Sequence, residues 1–122
     1  MSDNSALARR YLQLLDARDW DAWAAVLDED VVYDMPQTRE LIIGRESYLE
    51  FNQTYPGEWR LSPKIVIADD DRAVVWFDWR MGDESGESQT FLEIRGGRIT
   101  RVTDFWPEAY DPPERAVSVE RY

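Results

Sequence analysis

The spacing of apolar positions changes once along the chain, dividing it into a helical front and a stranded rear. In residues 5–17, Leu7, Tyr11, Leu14 and Leu15 recur at i, i+4, i+7 and i+8, the stripe of an amphipathic helix, with Asn4 or Ser5 placed to cap its start. Asp19 can cap a second helix, in which Trp20, Trp23, Ala24 and Leu27 repeat at helical spacing. Residues 31–35 are rich in β-formers and stop at Pro36, which predicts a short strand with Tyr33 and Met35 on one face. A polar loop follows. Residues 44–55 then carry Tyr48, Phe51, Asn52 and Tyr55 at helical spacing and end at Pro56-Gly57, a third helix.

Beyond this point the period falls to two. Residues 59–68, 73–81, 87–95 and 98–106 read as four strands, separated by Asp69-Asp70-Asp71, by residues 82–86 and by Gly96-Gly97, and together predict an antiparallel meander. In the second of these, Val75, Phe77, Trp79 and Met81 share a face assigned to the interior, and Val74, Trp76, Asp78 and Arg80 share the other. Residues 107–122 hold three of the six prolines and predict an extended tail, with Trp106, Tyr110, Val117 and Val119 to bury against the domain. Helices gathered in front of a bent antiparallel sheet make one α+β domain over residues 1–122, a cone with a cavity inside.

Composition narrows the chemistry. A chain of 122 residues builds one core without staples, and with no cysteine and no histidine it lacks disulfides, thiolate sites and the usual ligands of zinc or non-haem iron. The net charge of −11 disfavours nucleic acid and anionic membrane as partners and favours neutral or cationic ligands. No apolar leader or spanning run is present, which predicts a soluble, cytoplasmic protein. Proton chemistry falls to Asp, Glu, Tyr, Lys or Arg, and it needs no cofactor.

Asp104 is the leading candidate, because alternation through residues 99–106 puts it on one face with Val102 and Trp106, and a carboxyl in an apolar aromatic setting has a raised pKa. Tyr11 and Tyr33 are hydroxyl donors within its reach. Met35, Phe51, Phe77, Trp79, Thr90 and Trp106 complete the expected cavity wall, and a ring-lined cavity facing a carboxylate also suits a cation. Asp69-Asp70-Asp71 lacks the spacing of a calcium loop and reads as a solvated turn. Asp78 and Arg80 read as a salt bridge at the outer face. Val74 and Trp76, extended by Val66 and Ala68, are apolar where a monomer would expose them, which predicts a homodimer through that face.

The element order resembles the nuclear-transport-factor-2-like superfamily, a cystatin-like α+β barrel. The resemblance is carried by Arg10-Tyr11, Asp19-Trp-Asp, the strand from Asp30 to Pro36, Gly44-Arg-Glu, and the run from Gly97 to Trp106. The Asp-Phe-Trp-Pro-Glu ending is most similar to the SnoaL-like branch, which implies a polyketide-cyclase-like acid/base at Asp104. Laid beside ketosteroid isomerase, Tyr11 matches the oxyanion-hole tyrosine, but Met35 stands where the base would be and Thr90 near the second donor, so that mechanism is rejected. Limonene-epoxide hydrolase is a weaker match, through Asp78-Trp79-Arg80 with the residue order reversed. Scytalone-type dehydration, as the resemblance implies it, needs histidines. The expectation is a proton-transfer enzyme of cyclase, isomerase or lyase type acting on a small neutral apolar molecule. Its rival is a non-catalytic apolar-ligand binder or dimeric scaffold.

Overall fold

A computed structural model describes residues 3–122. Helix α1 (Asp3–Ala17) leads to a short α2 (Trp20–Ala25), strands β1 (Leu27–Met35) and β2 (Glu40–Ile43), and helix α3 (Arg45–Thr54). Strands β3 (Trp59–Ala68), β4 (Arg72–Met81), β5 (Glu84–Arg95) and β6 (Arg98–Phe105) complete one six-stranded sheet in the order β2-β1-β6-β5-β4-β3. The meander is antiparallel throughout. The β1–β6 pair is parallel, so the whole sheet is mixed, and β6 lies in its middle.

The inner face is the one alternation assigned. Ala73, Val75 and Phe77 of β4, Leu92 and Ile94 of β5, and Ile99 and Val102 of β6 are buried against Ala8, Tyr11, Leu12 and Leu15 of α1. The α1 stripe is therefore rotated by one position from the predicted one, leaving Leu7 and Leu14 at its flank. Asn4 lies within the helix and is no cap. Its amide donates to the carbonyls of Asp69 and Asp70, tying α1 to the β3–β4 turn, where Asp69 accepts from the Asp71 and Arg72 N–H groups as a solvated turn should. Leu27 opens β1 rather than closing α2, and four residues of the predicted polar loop pair with β1 as edge strand β2.

Turn chemistry sets the registers. Gly96 and Gly97 both take positive φ, the requirement of a two-residue hairpin whose twist matches its strands. Gly82-Asp83 alone joins β4 to β5, so the predicted loop over residues 82–86 is mostly strand and Gly86 falls opposite Trp79. In β3 the register shifts between Pro63 and Ile65, a bulge on an edge strand where proline is tolerated. That extra residue corrects the outer-face expectation. Val66 and Ala68 pack toward the core, while Ile65 and Ile67 point outward beside Val74 and Trp76.

Two further expectations fail. The segment 107–122 carries no helix or strand, and Tyr110, Val117 and Val119 are exposed, so little beyond Trp106 docks. Asp78 and Arg80 form no mutual bridge; Asp78 is 3.8 Å from Lys64, which also bonds Glu87 and covers the Trp76 ring. No helix among the described residues is long and apolar enough to cross a membrane.

Candidate functional site

Asp104 and Thr90 are direct cross-strand partners of β6 and β5, and both side chains enter the core. The Thr90 hydroxyl donates to Oδ1 of Asp104 at 2.7 Å. On the other flank Tyr33 pairs with Val102 in the parallel β1–β6 ladder, and its phenol leans along the strand to donate to Oδ2 of Asp104 at 2.8 Å. The Met35 sulfur is a weaker acceptor for the same phenol, at 3.7 Å. The donors that reach Asp104 are neutral. Burial therefore dominates and pushes its carboxyl up to about 6, while Thr90, Tyr33 and the Trp106 indole pull in the opposite direction.

A second polar pair stands on the helix side. The hydroxyls of Tyr11 on α1 and Tyr48 on α3 are hydrogen-bonded at 2.5 Å, both fully buried. Burial, with the nearby Asp104 charge acting on each, holds both phenols well above the usual tyrosine range. Tyr33 shifts the same way, by burial first and then by the Asp104 charge. The three phenols are thus proton-bearing groups at neutral pH. Trp23 and stacked Tyr33, with ring centroids 5.1 and 4.7 Å from Tyr48, fix the ring that carries the second hydroxyl.

These groups border a cavity of about 320 Å³ between α1, α3 and the sheet. Tyr11, Met35, Phe51, Phe77, Trp79, Thr90, Asp104 and Trp106 line it. Tyr33 does not. It packs between Tyr48 and Phe51 and donates to Asp104 without lining the cavity. Residues that spacing alone did not point to also form the wall, among them Tyr48, Asn52, Gln37 and Glu108. Tyr48 was legible as the first buried position of α3, but a hydroxyl opposite Tyr11 is a tertiary fact with no local signal.

Trp106 is tied down by a side chain from across the sheet. Gln37, in the β1–β2 turn, donates its amide to the Trp106 carbonyl and accepts from the Trp106 N–H, extending the sheet by a side-chain mimic of a strand. Trp106 then packs edge-on to Phe77 and Trp79, at 5.6 and 6.4 Å between centroids. Trp79 lies flat over Gly86, where an added Cβ would come within 2.9 Å of three indole atoms. Asp34, one residue from Met35, faces the other way and pairs with Arg101 at 2.8 Å. Among the described residues no group of three or more acidic side chains could hold a metal ion.

Comparison with known proteins agrees with this architecture. Residues 8–102 match the model of the SnoaL-like domain. A candidate ketosteroid isomerase from Kribbella flavida is 49% identical over 98% of this chain and 90% of its own, with a TM-score of 0.94. A candidate polyketide cyclase from Xanthomonas campestris is 25% identical over 86% and 90%, with a TM-score of 0.72. An NTF2-like protein of unknown function from Burkholderia xenovorans superposes with a TM-score of 0.80 at 19% identity over 88% and 85%. No curated protein matches the sequence. A three-helix, curved-sheet cone and a domain match spanning most of the sequence together establish that this chain belongs to the SnoaL-like family, within the nuclear-transport-factor-2-like superfamily.

Proposed function

We propose that the chain is a cofactor-independent proton-transfer enzyme of cyclase, isomerase or lyase type, acting on a small neutral apolar molecule. One observation carries the reading: a carboxyl poised near neutrality opens onto a ring-walled cavity that a buried pair of phenols also borders. A general acid/base works best with a pKa close to the operating pH, and Asp104 has one. Of the Tyr11–Tyr48 pair, whichever hydroxyl accepts from the other keeps its own proton free to donate to an oxyanion developing on the substrate. Tyr33 and Thr90 hold the carboxylate in place. The similarity to candidate isomerases and cyclases supports the class and leaves the substrate open.

The test is deuterium exchange into enolisable apolar ketones in D2O, followed by NMR. Acceleration that is lost in Asp104→Asn and weakened in Tyr11→Phe and Tyr48→Phe supports the enzyme. Binding of the same ketones without exchange supports the second reading, an apolar-ligand binder, which Met35 at the place of the isomerase base favours.

The outer sheet face is proposed as the surface of a homodimer. Ile65, Ile67 and Phe91 are exposed there, with Val74, Trp76 and Phe105 between them, a patch of the kind that water-facing sheets cover with a second copy.

A further inference from the structure

The charge balance of the cavity wall is one-sided. Asp104 at its inner end and Glu108 on its rim are acidic, and no lysine or arginine lines it. Arg18 stacks on the Trp59 ring at 3.6 Å without reaching the wall. Around Asp104 every titratable neighbour is a protonated phenol, Tyr11 from α1, Tyr33 from β1 and Tyr48 from α3, while β3 and β4 contribute Trp59, Leu61, Phe77, Trp79 and Met81, none of them ionisable. A buried carboxylate without a countercharge is unusual, because such charges are ordinarily paired. The missing partner is a cation. An anionic ligand meets two carboxylates and no compensation. A compact inorganic cation at Asp104 finds a single carboxylate whose two oxygens already accept from Thr90 and Tyr33, with rings and a few hydroxyls around it, a poor coordination shell for a hard ion. An organic ammonium finds the carboxylate for its charge and the faces or edges of Phe77, Trp79, Trp106 and Tyr48 for its methyl groups, the combination that recognises quaternary nitrogen.

We propose that this cavity binds a small organic ammonium ion carrying an apolar group, with its nitrogen against Asp104. The proposal rests on the reading of the cavity as a ligand site and adds a ligand class to the neutral substrate proposed above. About 320 Å³ admits a molecule of the size of trimethylphenylammonium, at the small end of ligand pockets.

The experiment compares trimethylphenylammonium with its uncharged isostere tert-butylbenzene, by tryptophan fluorescence and NMR, at pH 4.5 and pH 8. Neither probe titrates, so any pH response belongs to the protein. The expected result is cation affinity at least about tenfold higher at pH 8 than at pH 4.5, with the isostere nearly unchanged. Asp104→Asn should abolish the pH response and cut cation affinity about tenfold, whereas Glu108→Gln should preserve the response. If the isostere binds as well as the cation at both pH values, the ammonium proposal is overturned and the apolar cavity stands. If neither probe binds, the ligand-site reading fails with it.

Discussion

The Tyr33 phenol and the Asp104 carboxylate meet at 2.8 Å across 71 residues of sequence. The bond stabilises the ionised carboxyl, but not enough to offset burial, so the folded pKa of about 6 lies above the usual aspartate value of about 3.9. A folded state that holds its proton more tightly than the unfolded chain loses stability as pH rises between these two values, and no further above them. Asp104→Asn should therefore be more stable than the wild type at pH 8, by about 1–3 kcal/mol, with the difference vanishing below pH 4. Tyr33→Phe should move the Asp104 titration higher still. Urea midpoints at the two pH values and an NMR titration of the carboxyl test both statements; a depressed Asp104 pKa with a less stable Asn variant sinks the acid/base assignment.

Gly86 exists to receive a ring. Its φ is not in the left-handed region, so alanine there meets no backbone strain, and a strand residue with a side chain is ordinarily favoured over glycine. The Trp79 indole occupies the space instead. Gly86→Ala should cost about 1–3 kcal/mol and displace Trp79 along the cavity wall, read as a lower urea midpoint with altered tryptophan emission. An unchanged midpoint would show that the indole is free to move aside.

Asp16 couples α1 to β3 by accepting two bonds from Arg60 at 2.9 Å and one from the Leu61 N–H at 2.8 Å. The Arg60 bonds hold its carboxyl below the usual range, so its stabilisation is present at neutral pH and is lost as pH falls through that lowered value. Asp16→Ala strands the Leu61 N–H and should lose about 1–2 kcal/mol, more than Asp16→Asn, which keeps an acceptor. Equal losses would assign the effect to the Arg60 pair alone.

Gln37 holds Trp106 through two bonds to one residue's backbone. In Gln37→Ala both vanish, and with them the indole's hold on Asp104, so the Asp104 pKa should rise from about 6 while stability falls by about 1 kcal/mol. Carboxyl NMR reads the first quantity. A fixed pKa would mean that Phe77 and Trp79 keep the indole in place unaided.

On the proposed outer-face homodimer, the wild type should run as a dimer at micromolar concentration and Trp76→Glu, which places a charge at the centre of that face, as a monomer, as light scattering can determine. A monomeric wild type overturns the dimer.

Alternation was enough to place Val75, Phe77, Trp79, Val102 and Asp104 on the inner face, because a period of two leaves a strand only one way to bury its apolar set. It failed in β3, where the bulge after Pro63 inserts one residue and exchanges Val66 for Ile67 on the outer face. Bulges carry no periodic signature. Strand β2 went unread because four residues are too few to show a period, and Leu27 was claimed for the wrong element because it satisfies helical and strand spacing alike. In the site, the carboxylate and Tyr11 were legible as residues. Tyr48 and Gln37 acquire their roles only from partners far along the chain, which spacing does not encode.

The last strand made is a central strand of the sheet. Until β6 is available, a growing chain holds two separate pieces, β2–β1 and β5–β4–β3, each with a bare edge open to unwanted pairing. Insertion of β6 joins them, closes both edges and delivers Asp104 to Thr90 and Tyr33 in the same event. A chain stopped short of that strand would thus have neither a continuous sheet nor the carboxylate, and a chemically competent but half-folded species has no structure in which to exist.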